Sequence, residues 1–137
     1  MILVDSSVLI KALGGKTDNL RVAELDRIIA ADIPFAICPY VYQEVLQGVA
    51  DDLAFHKTKR YLETQEFLWL PGEVATFERA ARLFWDLRRN GVTLRSTMDV
   101  LIALTAIEHG AFLLHDDPDF DRIAEFDDRL LIANGRY

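Results

Sequence analysis

The sequence predicts an α/β protein with a mainly parallel sheet, and three observations carry that prediction. Short apolar runs alternate with segments of helical periodicity, which is the pattern of strand–helix units in a parallel sheet. The chain has 137 residues, 51% of them hydrophobic, enough for one core without disulfides. It contains no internal repeat and no Pro/Gly/Ser-rich linker, so residues 1–137 are read as a single domain.

The elements follow in order. Ile2-Leu3-Val4 is a strand that stops at Asp5. Ser6 and Ser7 are expected to cap a short helix from Val8 to Leu13, closed by Gly14-Gly15. Asp18 or Asn19 caps a second helix carrying Leu20, Ala23, Leu25, Ile28 and Ile29. Residues 33–38 read as a buried strand, and Pro39 suits the first turn of a helix running to about Gly48. Asp51-Asp52 caps the next helix, with Leu53, Phe55, Tyr61 and Leu62 among its apolar positions. Residues 67–70 form a candidate strand ended by Pro71-Gly72. A long amphipathic helix follows, with Val74, Phe77, Ala81, Phe84 and Leu87 as its expected inward stripe and Gly91 as its stop. Thr97 is expected to cap a helix over Met98–His109 that ends at Gly110. A strand over 111–114, an acidic loop over 115–121 and a last strand at 130–132 complete the chain.

Several function classes are disfavoured at once. Cys38 is the only cysteine, so there is no intramolecular disulfide and no thiolate zinc knuckle. No basic, apolar leader precedes Asp5, and no apolar stretch approaches the ~20 residues a bilayer requires. A cytoplasmic protein with no membrane partner is expected. The net charge of −7 argues against a passive nucleic-acid binder. It argues less against a metallonuclease. Setting four site acids aside leaves 18 acids against 15 bases, and a bound divalent cation supplies positive charge of its own.

Four acids stand out by position. In an open parallel sheet, ligands bind beyond the carboxyl ends of the strands. Asp5 follows the first strand, and the loop His115-Asp116-Asp117-Pro118-Asp119-Phe120-Asp121 follows the strand at 111–114. Glu44 shares a helix face with Val41, Val45 and Gly48, and Asp99 shares one with Ile102, Ala103 and Ala106. Both carboxylates therefore point toward the core side, where an unpaired charge is costly. Each acid has an ordinary reading when taken alone: Asp5 as a helix cap, Asp99 as a first-turn acid favoured by the helix dipole, the loop as a solvated turn. Together they favour one shared cationic partner. Mg²⁺ or Mn²⁺ suits an all-oxygen ligand set, and zinc does not. Asp117 is the first choice within the loop, with Asp116 and Asp119 as competitors.

At these residues the sequence resembles the PIN-domain ribonucleases, in particular the VapC-type toxins of bacterial toxin–antitoxin pairs. The segments that carry the resemblance are ILVDSSVLIKAL from Ile2, CPYVYQEVLQGV around Glu44, and TMDVLIALTAIEHGAFLLHDDPDFDRIA from Thr97 to Ala124. Their order and spacing extend it over nearly the whole chain. The resemblance implies a three-layer α/β/α PIN-like fold. It implies an acidic quartet of Asp5, Glu44, Asp99 and Asp117, serving both as catalytic groups and as ligands of Mg²⁺ or Mn²⁺. It matches Asp119 to a further acid beside the last of these and Ser7 to a small polar residue near the metal. It also implies an endoribonuclease acting on RNA such as tRNA, a small antitoxin that covers the site, and a homodimer. The chain departs from the family pattern at His115, where a threonine is common, and at Pro118, which stiffens the turn.

Other residues are read more plainly. His115 is taken as a local hydrogen-bonding residue outside the catalytic set. No histidine base is placed beside Ser6 or Ser7, so these serines are read as caps or as donors to a metal ligand. Arg79, Arg82, Arg88, Arg89 and Arg95 form a basic tract, in which Arg95 is the best candidate for a phosphate contact. Phe67, Trp69 and Trp85 are read as core or interface. Two other functions remain in view: a PIN-like protein-binding module without turnover, and a receiver-like phosphotransfer domain. The second would need adjacent acids by the first strand, where Asp5 is instead followed by serines.

Overall fold

The computed structural model describes residues 1–137. The first apolar run forms β1 (Ile2–Val4), buried along its whole length, as a central parallel strand must be. β1 pairs on one side with β2 (Phe35–Ile37) and on the other with β4 (Phe112–Leu114). β3 (Glu66–Phe67) extends the sheet beyond β2, and β5 (Leu131–Ile132) extends it beyond β4. The order is β3-β2-β1-β4-β5, and every pairing is parallel.

Seven helices connect the strands: α1 (Ser6–Leu13), α2 (Leu20–Ala30), α3 (Pro39–Gln47), α4 (Asp52–Glu63), α5 (Val74–Arg89), α6 (Met98–His109) and α7 (Pro118–Phe126). The chain winds outward from β1 to β3, then returns across β1 to lay down β4 and β5. Right-handed crossovers in opposite directions put the helices on opposite faces, which yields the expected three-layer α/β/α arrangement. One cluster of 31 buried hydrophobic residues joins the layers. No helix is long and apolar enough to cross a membrane.

Five local expectations are corrected. The first helix starts at Ser6, with Asp5 as its cap in place of the serines; the Asp5 carboxylate accepts from the Ser7 amide at 3.0 Å. At α6 the serine before Thr97 does the work: Ser96 Oγ accepts from the Met98 amide at 3.2 Å, and Thr97 makes no capping bond. The strand expected over 67–70 shrinks to Glu66–Phe67. Its partner β2 ends at Ile37, whose carbonyl takes the Leu68 amide, and the neighbouring chain then turns into α3, leaving nothing to pair with.

The acidic loop is shorter than expected because α7 begins inside it, at Pro118. Asp117 caps it by accepting from the Asp119 amide at 2.9 Å, and Pro118 takes the first position, where a missing amide costs nothing. The inward face of α5 is also different. Thr76, Ala80, Leu83 and Leu87 are buried, whereas Val74, Phe77 and Trp85 stay exposed. Of the expected stripe, Leu87 is buried and Phe84 packs against the core, while Thr76, Ala80 and Leu83 take the remaining buried positions in place of Val74, Phe77 and Ala81.

Candidate active site

The carboxyl edge of the sheet collects the acids because three helices start there. Asp5 caps α1, Asp99 sits in the first turn of α6, and Asp117 caps α7. Helix N-termini carry partial positive charge, which helps tolerate carboxylates at such positions. Glu44 arrives from the middle of α3. β1 and β4 are neighbours from which the chain leaves in opposite directions, so Asp5 and the 115–117 turn flank a topological switch point.

Backbone and hydroxyl contacts lock this edge. The Asp5 amide donates to the Leu114 carbonyl at 2.9 Å. Ser7 Oγ donates to Asp5 Oδ2 at 2.5 Å and accepts from the Asp116 amide at 2.9 Å, tying the end of β1 to the turn after β4. Ser6 Oγ donates to Glu44 Oε1 at 3.2 Å. Both serines thus serve as donors to candidate ligands, and Ser7 lies where the resemblance puts a small polar residue.

The electrostatics of the acids are unusual. Asp5 is buried, and its Oδ1 has no hydrogen-bond partner. Burial pushes the Asp5 carboxyl up, against the pull of Ser7. Burial and the neighbouring Asp5 push Glu44 up as well. Asp99 is raised to about 7, first by burial and then by Asp117, Asp5, Glu44 and Asp119. Carboxyl oxygens of Asp99, Asp117 and Asp119 lie within 4.8 Å of one another. Asp5 and Glu44 lie outside that tight trio but close enough to repel it.

The three loop acids differ sharply. Asp116 turns away: its Oδ2 accepts from Asn19 Nδ2 at 2.9 Å and also from the Lys11 ammonium. Asp117 faces Asp99, and its Oδ1 accepts from Arg95 Nη2 at 2.9 Å. Asp119 is fully buried but neutralised. Arg122 Nη1 donates to its Oδ1 at 2.7 Å, and Arg95 Nε donates to its Oδ2 at 3.3 Å. Sequence reading missed this pair of guanidiniums. The signal for Arg122 was present, because it stands three residues after Asp119, on the same face once residues 118–126 are known to be helical. His115 is buried, and its Nδ1 accepts from the Asp117 amide at 3.2 Å, so it is the local hydrogen-bonding residue expected. Burial pushes its pKa down.

The donor set fits a hard divalent cation. It consists of oxygens, one of them a buried atom without a partner, and the charged form of Asp99 is disfavoured first by burial and then by its acidic neighbours, a cost that a bound cation would offset.

A parallel sheet between helical layers, with inward carboxylates at its carboxyl edge, defines a class: α/β proteins with an acidic, metal-suited site at a switch point. Within that class the chain belongs to the PIN domain family, whose pattern matches residues 2–126. It is 34% identical over 125 residues to a VapC ribonuclease of Mycobacterium bovis, a span covering 90% of this chain and 92% of that one. Ribonuclease VapC11 of Mycobacterium tuberculosis matches at the same 34%, with the same coverage. Among solved structures, VapBC2 of Rickettsia felis, bound to a promoter DNA fragment, superposes with a TM-score of 0.70 at 20% identity, covering 98% of each chain. FitAB bound to a DNA fragment superposes with a TM-score of 0.66 at 20% identity, covering 98% of this chain and 94% of that one. At that identity these structures speak for the fold.

Proposed function

We propose that this chain is a Mg²⁺- or Mn²⁺-dependent endoribonuclease, the toxin of a toxin–antitoxin pair acting in the cytoplasm. The observation that carries the reading is Asp99: a buried carboxyl raised to about 7 beside four other acids, within a PIN fold. The 34% identity to proteins named VapC ribonucleases supports RNA as the substrate.

Asp5, Asp99 and Asp117 are assigned to hold the ion. When bound, Mg²⁺ or Mn²⁺ supplies Lewis acidity that polarises a phosphodiester and eases deprotonation of the attacking water. Glu44 is assigned the proton of that water. It is half-buried, its carboxyl is raised, and Ser6 fixes one of its oxygens while the other stays available. Ser7 orients Asp5 and, through the Asp116 amide, the turn that carries Asp117. Asp119 acts through its arginines and is not counted among the ligands.

The partners proposed are an RNA such as tRNA, a small antitoxin covering the acidic edge, and a second copy of the chain. The apolar surface formed by exposed Phe77 and Trp85 and half-buried Phe84 on α5, beside Leu101 of α6, supports a protein contact there.

An RNase assay against structured RNA tests the reading. Cleavage is expected with Mg²⁺ or Mn²⁺, none with EDTA, and recovery when metal is restored. A binding module without turnover would cleave under none of these conditions.

A further inference from the structure

The acidic edge carries one cation that the metal reading leaves unused. Of the basic side chains around it, Lys11 is bonded to Asp116, and Arg21 Nη1 contacts Glu24 and the Ala133 carbonyl, each at 3.2 Å. Arg122 is committed to Asp119 at 2.7 Å. Arg95 differs. Its guanidinium spans Asp117 at 2.9 Å and Asp119 at 3.3 Å, yet its side chain is 72% exposed. It is anchored at its base by the Arg95 amide, which donates to Asp119 Oδ2 at 3.4 Å. The head can therefore swing while the backbone stays in place. When it leaves, Asp119 keeps Arg122 and is not stranded as an unpaired buried charge.

We propose that Arg95 is a two-position residue: a counter-ion on Asp117 and Asp119 in the free protein, and a clamp on an RNA backbone phosphate when substrate is bound. This rests on the ribonuclease reading and names the group that meets the polyanion. The chemistry suits it. A guanidinium forks onto phosphate as readily as onto carboxylate, and it is the natural exchange partner between the two. An edge made of acids repels RNA, so a local cation at the mouth is needed on a chain of net charge −7. The two positions also couple. Ion binding at Asp117 competes with Arg95 for the same carboxylate and frees the guanidinium for phosphate.

The test uses the full-length protein, its Arg95→Gln and Arg95→Lys variants, and two readouts. Mn²⁺ binding without RNA is followed by the loss of the free-ion electron paramagnetic resonance signal. Arg95→Gln is expected to bind Mn²⁺ about two- to five-fold tighter, the size of an exposed ion pair removed. Binding of a labelled, phosphorothioate-linked single-stranded oligoribonucleotide in Mn²⁺ is followed by fluorescence anisotropy. Arg95→Gln is expected to weaken it roughly ten-fold and to lower the slope of log affinity against log salt by about 0.7. Arg95→Lys should restore the slope but not the full affinity, because it keeps the charge without the fork. An unchanged salt slope in Arg95→Gln overturns the clamp, and unchanged or weaker Mn²⁺ binding overturns the counter-ion role. If either happens while wild type still cleaves RNA with Mn²⁺, the Arg95 assignment alone has failed. If wild type neither cleaves nor binds the oligonucleotide, the ribonuclease reading fails with it.

Discussion

Two regions of the molecule bury carboxylates, and they do so in opposite ways. At the carboxyl edge of the sheet, Asp5, Glu44, Asp99 and Asp117 converge: burial raises Asp5, burial and neighbouring acids raise Glu44 and Asp99, and Asp5 Oδ1 is left without a partner. On α2, Glu24 is as deeply buried but fully answered. Its Oε1 accepts from the Gly135 amide at 2.7 Å and the Tyr137 hydroxyl at 3.0 Å, and its Oε2 accepts from Arg21 at 3.2 Å. Burial of an acid therefore does not mark function by itself. Glu24 staples the C-terminal segment to α2, whereas the edge acids keep an electrostatic debt that a divalent cation would cancel.

The largest expected effect separates the two regions by activity. Asp99→Asn and Asp5→Asn should each drop Mg²⁺-dependent RNA cleavage below detection while circular dichroism shows a retained fold. Glu24→Ala should leave cleavage per folded molecule intact. Full cleavage by Asp99→Asn would remove the basis for placing an ion there.

Stability should sort them the other way. Glu24→Ala strands an amide, a hydroxyl and a guanidinium, and is expected to cost about 3 kcal/mol in urea denaturation. Asp99→Asn, measured in EDTA at pH 8, should instead stabilise by on the order of 2 kcal/mol, since it removes a buried charge held against its preference. If both substitutions destabilise equally, the edge is an ordinary polar core and the contrast collapses.

The sequence made one of these regions visible and not the other, and the reason is geometric. Strand ends and helix faces are short-range patterns, so Asp5, Glu44 and Asp99 could be placed from spacing alone, along with the parallel sheet. Glu24 is answered by residues 111 and 113 positions away, and no local pattern announces such a contact. The α5 face failed for a related reason. Side-chain bulk dominates a periodicity reading, while the buried face includes Thr76 and Ala80, small residues that such a reading passes over. Helix α7 was readable from Asp117-Pro118 as cap and first position, but the density of acids disguised it as a turn. The choice among Asp116, Asp117 and Asp119 depends on where Lys11, Arg95 and Arg122 reach, which only the fold decides.

The finest test of the contrast is pH. The Asp99 carboxyl stands near 7 in the folded protein against 3.8 as its ordinary value. Between those values the folded metal-free protein holds a proton that the unfolded chain has released. Its contribution to stability is therefore present at low pH and is lost as pH rises through about 7. Metal binding has the opposite sign, because the ion needs the deprotonated carboxylate. Mn²⁺ affinity should rise about ten-fold per pH unit up to about 7 and then flatten, while stability in EDTA falls over the same window. Glu24→Gln should leave the Mn²⁺ profile in place, and Asp99→Asn should abolish its step near 7. A Mn²⁺ affinity that is flat from pH 5.5 to 8 in the wild-type protein would mean that Asp99 gives up no proton to the ion, and the edge acids would then be no different in kind from Glu24.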